Sequence, residues 1–566
     1  MSLFSILSLR RLCAALLFVV ILPAAACPPT QTPAGPETGF LLAAPDRGFM
    51  GNEEIRDLFD AFAKQHNAAL LYVTDARTRD NAQAALATLK KRGAQRVVLL
   101  PLFYSEHEAR YATLRTALAG APALPLEWAQ PFGASYFAVE ALAERLRALP
   151  TEPGQRLIVA GSGAADQAGS ERIAADLQRI AGHAAAGLGY RSITSVVWPE
   201  SQAAAALQER AQAGLRAAGD AVVVQLHLAK KLDSMMAFSN TLKRALPAPE
   251  RLLAEQSLTP LALTWMQREA NRHLPLTPDQ VGVVIAAHGS DWHWNETMRN
   301  SLSSLEQKYK VEYAFSMADA PLLERAVRRL DQRGARAIVI VRVFGMQSSF
   351  QREIEHLIGR DVEAGPAAHL HTAGDHGMQH GGQGGAPLAR LRTAAVLSSA
   401  GGLDDHPLFA QALLARAQAL SRDPKRETVI LTAHGTGDEA NNTQWLARLE
   451  SIAGQMRANG GAAFRAIRVA TWREDWPEQR APWVERVRGW VAQAGRDGEA
   501  IVIPARTTGS GPEAELLAGL KFRLGSGFAP HPLFPVWVEQ QVAQALQQPV
   551  APALAATAAA GHDHHR

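Results

Sequence analysis

The chain has 566 residues, 47% apolar and 20% charged, with a net charge of +4. It is too long for one hydrophobic core, and its mild charge speaks against a nucleic-acid partner. The two cysteines, Cys13 and Cys27, both lie near the N-terminus. The rest of the chain therefore has no disulfide framework, thiolate metal site or cysteine nucleophile, and any metal chemistry falls to His, Asp and Glu.

Residues 1–27 read as a targeting segment. Arg10 and Arg11 precede the apolar run LCAALLFVVILP, and AAA precedes Cys27. The run is short for a membrane span. Small residues before a cysteine predict a lipoprotein signal with Cys27 lipidated; a plain cleaved signal is the alternative. Both predict a periplasmic protein, the first anchored to a membrane. PPTQTPAGPET (28–38) reads as a tether.

The remaining chain repeats itself. LKKRGAQRVVLLPLF (89–103) matches LDQRGARAIVIVRVF (330–344) at an offset of 241, which carries Arg47-Gly48 onto His288-Gly289. IVAGSGAADQAGSERIAADLQRIAG (158–182) matches ILTAHGTGDEANNTQWLARLESIAG (430–454) at an offset of 272, so Ser162 stands where the later copy has His434. RSITSVVW (191–198) then matches RAIRVATW (465–472). Two copies of a two-lobed unit follow. Copy one spans 39–265, with lobes of about 39–150 and 151–265. Copy two spans 280–547, with lobes of about 280–363 and 388–547.

Strands such as RVVLLPLF, AVVVQLHL, AIVIVRVF and AIVIPA are apolar throughout, the pattern of parallel strands buried on both faces. Helices such as PLLERAVRRLDQRGA alternate with them and close on Arg-Gly-Ala. The predicted fold is α/β: four flavodoxin-like, doubly wound parallel-sheet lobes, with ligands at the carboxyl ends of the strands.

His288 and His434 each end the first strand of a lobe and begin an H-G-[ST] turn. An imidazole there binds a metal or takes a proton near neutral pH. The glycine permits a tight turn, and the helix that follows aims its N-terminus at the same place. A histidine that merely caps strand-end carbonyls is the alternative. Asp438 and Glu439 after His434, and Glu106 and Glu108 around His107, read as solvated turn carboxylates, with tuning of the imidazoles or a share in a metal as the alternative. His293 is a candidate neighbour of His288. Trp292 and Trp294 read as packing residues, with stacking on a flat ligand as the alternative.

AAHGSDWHWNE, followed by LLERAVRRLDQRGARAIVIVRVF, resembles the class II chelatases, the sirohydrochlorin cobaltochelatase and ferrochelatase group (CbiX/SirB type). LATLKKRGAQRVVLLPLFYSEHEAR and LTAHGTGDEANN look like further parts of the same pattern. The resemblance implies lobes that face each other across a tetrapyrrole cleft, with histidines that bind the incoming divalent metal (Co, Fe or Ni, with Zn also possible) and help remove the pyrrole protons. It makes His288 and His434 the catalytic and metal residues, with His107 and His227 as further metal ligands. This chain departs from the pattern at Ser348, the counterpart of His107, and in lobe four, where IPARTTGSGPEAE offers Arg506 and Glu513. Arg47 and Ser162 replace the first histidines of copy one.

Residues 364–387 form a His- and Gly-rich loop in which His369, His371, His376 and His380 are candidate accessory metal ligands. The tail, 548–566, reads as disordered and adds His562, His564 and His565. No phosphate loop, dinucleotide fingerprint or nucleophile elbow is present, so no nucleotide cofactor is expected. The function expected is an extracytoplasmic chelatase inserting a divalent metal into a tetrapyrrole such as sirohydrochlorin. The alternative is a non-catalytic metal- or tetrapyrrole-binding lipoprotein on the same fold.

Overall fold

The structure is a computed structural model of the chain. It describes residues 37–120, 124–150, 154–201, 204–226, 228, 238–254, 260–360, 389–549 and 554. The signal, almost all of the tether, His227, the His-rich loop and the His-containing end of the tail lie outside the described residues. Among the described residues, no helix is long and apolar enough to cross a membrane.

Among the described residues, four parallel sheets are present. Lobe one holds β1 (Thr38–Pro45), β2 (Ala68–Val73), β3 (Arg96–Pro101) and β4 (Leu126–Trp128), in the order β2-β1-β3-β4. Lobe two holds β5 (Arg156–Ala164), β6 (Ser192–Pro199) and β7 (Val222–Gln225), in the order β6-β5-β7; a lone parallel bridge from Val223 to Leu252 takes the place of a fourth strand. Lobe three holds β8 (Val281–Ala287), β9 (Lys310–Phe315), β10 (Ala337–Val343) and β11 (Val396–Gly401), in the order β9-β8-β10-β11. Lobe four holds β12 (Glu427–Ala433), β13 (Ala466–Thr471), β14 (Glu499–Pro504) and β15 (Phe522–Leu524), in the order β13-β12-β14-β15. The expected four α/β lobes are therefore present. The central strands β1, β8, β10 and β12 are buried at every residue, as continuous apolar runs sandwiched between helices require.

One boundary moves. The sequence assigns residues 388–426 to lobe four, but β11 pairs with β10 from Ala337↔Val396 to Arg342↔Gly401 and completes the third sheet. Its run, VLSSAG, is short and rich in small residues, and the His-rich insertion separates it from β10. Only parallel pairing shows which sheet it joins. The helix Pro407–Leu420 follows it, and lobe four begins at β12.

The helices explain the pairing of lobes. Within each copy one large apolar core is shared by both lobes, while each sheet's opposite face builds a smaller core of its own. The last helix of each copy turns back onto the first lobe. Pro260–His273 packs against lobe one, and Leu533–Leu546 against β10 and β11. Trp265 and Trp537, both fully buried, occupy equivalent places 272 residues apart.

The copies also join each other. The buried Arg268 guanidinium lies over Phe137 and Tyr136, at 4.4 and 4.9 Å, and donates to the Thr393 carbonyl. Tyr136 Oη donates to the Leu391 carbonyl at 2.7 Å. Glu140, fully buried, takes an ion pair from Arg390 at 3.3 Å and another from Arg147 at 3.5 Å.

Candidate active site

Lobes one, three and four make the same turn after their first strand, while in lobe two the corresponding glycine, Gly163, lies at an irregularity near the end of β5. Gly48, Gly163, Gly289 and Gly435 all have positive φ, between 71° and 110°. In copy two the turn is also pressed against the end of the neighbouring strand. A Cβ on Gly289 would lie 2.7 Å from Phe315 Cβ, and one on Gly435 would lie 2.8 Å from Thr471 Cβ. Glycine is needed there for both reasons. An asparagine from the following helix ties the turn down: Asn52 accepts from the Arg47 amide, Asn295 from Ser290 and Asn442 from Thr436. This recurrent Asn was not singled out in the sequence, although NE, NE and NN stand five to eight residues after the turn.

His288 and His434 hold the same pose. Nδ1 of each ring lies against the carbonyl of the next residue, at 2.6 Å to Gly289 O and 2.8 Å to Gly435 O. A carbonyl only accepts, so Nδ1 carries the proton, and the lone pair of a neutral ring sits on Nε2. The turn thus presents the imidazole by the nitrogen suited to a metal or a pyrrole proton.

Their surroundings differ. His288 is exposed. His293 beside it is exposed as well, and Trp292 is 68% exposed, whereas Trp294 packs edge-on against Phe315. His434 is half-buried between two indoles: Trp445 is parallel to it at 6.5 Å and Trp476 perpendicular at 6.4 Å. Trp445 reaches lobe three, where a Cβ on Gly345, just beyond β10, would lie 2.9 Å from the indole. One ring therefore separates His434 from the strand-end loop of the neighbouring lobe. Glu474 and Asp475, in the loop after β13, stand 3.8 and 3.3 Å from His434 Nε2. These two carboxylates were missed in the sequence; the available signal was TWRED, matched to VVWPES in copy one.

The other candidates separate into roles. Asp438 caps the helix Glu439–Ala458, accepting from the Asn441 amide at 2.8 Å, and Glu439 pairs with Arg473 at 2.9 Å. Arg506 is ion-paired to Glu474, and burial pulls its pKa down. Glu513 is fully buried and accepts from Thr432 Oγ1 and Trp472 Nε1, which makes it a support for the end of β12. His107 is half-buried, and its amide donates to Ser105 Oγ. Among the described residues, no three His, Asp or Glu side chains form a metal cage, so His288, His434 and His107 are not gathered into one.

Copy one is built differently at the same place. Arg47, at the position of His288, faces Glu108 at 3.8 Å, and both side chains are nearly buried. Glu108 also accepts from the Tyr104 and Ser105 amides, at 3.0 and 3.1 Å. Its Cγ lies 3.2 Å from where a Cβ on Gly163 of lobe two would stand. Burial raises the Glu108 carboxyl to about 7, against the pull of Arg47. Arg110 of lobe one ion-pairs with Glu200 of lobe two, the counterpart of Glu474. Copy one thus fills the junction between its strand ends with salt bridges.

Residues 282–420 match the CbiX family model, which covers lobe three from β8 to the helix Pro407–Leu420. That region is similar to the CbiX family. Comparison with curated proteins finds no match. One similar solved structure is a multi-domain protein from Deinococcus radiodurans, described as structurally similar to chelatases but with two additional novel domains. It shares 18% identity over 48% of this chain and 56% of its own length, at a TM-score of 0.31. The chain therefore spans about half the length of that protein. In the CbiX region the H-G-[ST] turn, with His288 at its head, lies near the start of the match.

Proposed function

We propose that copy two is an extracytoplasmic metal-chelatase site that inserts a divalent metal, Co²⁺, Fe²⁺ or Ni²⁺, into a tetrapyrrole such as sirohydrochlorin. The observation that carries this is the duplicated pose of His288 and His434, each with Nδ1 on a carbonyl and the lone pair on Nε2. Metallation must release two pyrrole protons and strip water from the cation, and a base that is also a ligand serves both steps. His434, next to lobe three through Trp445, is the principal candidate. The exposed His288, with His293 and Trp292 beside it, meets the substrate from the lobe that matches the CbiX model. Cys27, lipidated, would hold the protein on a membrane in the periplasm, and the His-rich loop would collect metal.

The test is metallation of sirohydrochlorin by the full chain with Co²⁺, Ni²⁺ and Fe²⁺ in turn, followed by absorbance against the spontaneous rate. Acceleration that is lost in His434→Ala supports the enzyme. A tetrapyrrole spectrum shifted by binding, without acceleration, supports a carrier on the same fold. The ion pair of Arg506 with Glu474 favours that second reading, because it occupies a carboxylate that would otherwise serve the metal.

A further inference from the structure

We propose that His406 and His531 form an acid-sensitive latch, which holds lobes three and four together at neutral pH and loosens them as pH falls. Its existence does not depend on the chelatase reading; only what it guards, the junction beside His434, rests on that reading. The run HPLF occurs twice, at 406–409 and 531–534, and each time it opens a helix. The two imidazoles hold one pose. His406 Nδ1 accepts from the Leu408 amide, and His531 Nδ1 from the Leu533 amide, both at 3.2 Å. The intervening proline has no N–H, so the leucine amide is the first the helix offers, and no carbonyl within the helix reaches it. An amide only donates, so Nδ1 carries the lone pair and the neutral ring keeps its proton on Nε2. Protonating Nδ1 sets N–H against N–H at the positive end of a helix, and the cap is lost.

The two capped helices are the ones that cross between the lobes. Pro407–Leu420 leads from β11 of lobe three to β12 of lobe four, and Leu533–Leu546 returns from lobe four to pack on β10 and β11. The helices also pack on each other, and Arg416 of the first donates to the Pro530 carbonyl before the second. Both rings rim one aromatic cluster of the shared core. His406 stands perpendicular to Trp537 at 6.5 Å, and His531 lies 6.4 Å from Phe528. The loop before His406 reaches the candidate site: Asp404 accepts from the Gln347 amide at 2.8 Å and donates its own amide to the Gly345 carbonyl, and Gly345 lies against Trp445.

The charges around the rings agree. Burial lowers the pKa of both; Asp405 opposes this at His406, and Arg416 adds to it at His531. Asp405, with Asp404, is itself paired to Arg448 of the helix Glu439–Ala458. Folded values below the ordinary 6.5 mean that the caps stabilise fully above that pH and are lost as pH falls below it. Copy one has Ser135 and Thr259 at the matching positions, at offsets of 271 and 272, and a hydroxyl does not titrate there.

Hydrogen exchange of the full chain, without metal or tetrapyrrole, tests the latch at the peptides that open the two helices, after correction for the intrinsic pH dependence of exchange. The wild type should open about tenfold more at about pH 5.5 than at about pH 7.5. In His406→Asn/His531→Asn the side chains accept the same amides without titrating, so the increase should vanish. If the double variant does not fold, His406→Ser and His531→Thr, which carry the residues of copy one, are read singly, and each should flatten the response at its own helix. No increase in the wild type, or an equal increase in the variants, would overturn the latch. Sirohydrochlorin metallation at neutral pH scores the chelatase reading separately. Failure there sinks that reading and leaves the latch standing; normal metallation with a flat exchange profile does the reverse.

Discussion

A glycine of positive φ stands at the end of the first strand of all four lobes, yet the two copies use it for opposite ends. In copy two it holds an imidazole by Nδ1 and turns Nε2 outward, twice. In copy one the corresponding residues are Arg47 and Ser162, and Arg47 is drawn into a buried pair with Glu108. The loop after β3 brings Tyr104 and Glu108 to the junction; the loop after β10 has Gly345 and Ser349 at the matching positions. The small residues leave room for Trp445 and, beside it, His434. Duplication has left one junction with an imidazole beside two carboxylates, and one packed with groups that neutralise each other. Copy one then serves as a brace, joined to copy two through Glu140, Arg390, Arg268 and Tyr136.

The largest expected effect tests which copy carries chemistry. His434→Ala should lower metal insertion by about 10²–10⁴-fold, the range typical of removing a general base. Ser162→His in copy one should confer nothing, because Glu108 already occupies the space against Gly163. Initial rates of sirohydrochlorin metallation decide both. A gain of activity from Ser162→His would break the division of labour between the copies.

The brace is tested next. Glu140→Ala removes the carboxylate that pairs at 3.3 Å with Arg390, which is only 3% exposed. Removing one partner of a buried ion pair costs about 3–5 kcal/mol. Denaturant titration should show the loss, and the segment near Arg390 should become more accessible to protease. An unchanged midpoint would mean that the copies are held by their other contacts, among them Arg268 with Thr393 and Tyr136 with Leu391, and not by Glu140.

Glu108 gives the comparison a pH signature. Its carboxyl is raised by burial to about 7 in the folded protein, against an ordinary value of 4.5. The folded state therefore holds a proton that the unfolded state has released between those values. The stabilising contribution is complete below about pH 4.5 and is lost as pH rises through 7, a change on the order of 3 kcal/mol. Melting temperatures of the wild type, relative to Glu108→Gln, should fall as pH is raised from 4.5 to 7.5. Copy two has Ser349 there and adds no such slope. Parallel profiles for the two proteins would show that Arg47 keeps Glu108 ionised throughout.

Much of this was legible in the sequence because the fold depends on patterns that sequence displays. Continuous apolar runs gave the parallel strands, and the offsets of 241 and 272 gave the duplication. H-G-[ST] marked both imidazole turns, because a positive φ in a crowded turn admits glycine and little else. Membership of β11 was hidden, since VLSSAG lies far from β10 in sequence and only sheet pairing assigns it. Asp475 and Glu474 were hidden for a related reason. They follow β13, and parallel pairing with β12 brings the two strand ends together. Glu108 read, with Glu106, as a solvated turn carboxylate beside His107. Glu106 does lie at the surface, paired to Arg115, while Glu108 is buried against lobe two.

The smallest expected effect separates shared architecture from shared chemistry. Asp166 and Asp438 are equivalent helix caps, accepting from the Gly169 amide at 2.7 Å and the Asn441 amide at 2.8 Å. Replacing either with Ala should cost about 1 kcal/mol, since each satisfies one otherwise unpaired amide of its helix. The cost should be alike in the two copies, because the caps do the same work in both. Only Asp438→Ala should also lower metallation. It frays the start of the helix that carries Trp445, the ring lying parallel to His434 and against Gly345. Asp166→Ala loosens a helix whose strand end presents Ser162 and no imidazole, so its metallation rate should match the wild type under folding conditions. Equal effects of the two substitutions on rate would mean that the helix after the turn does not position His434, and that the imidazole is held by its carbonyl bond and the carboxylates alone.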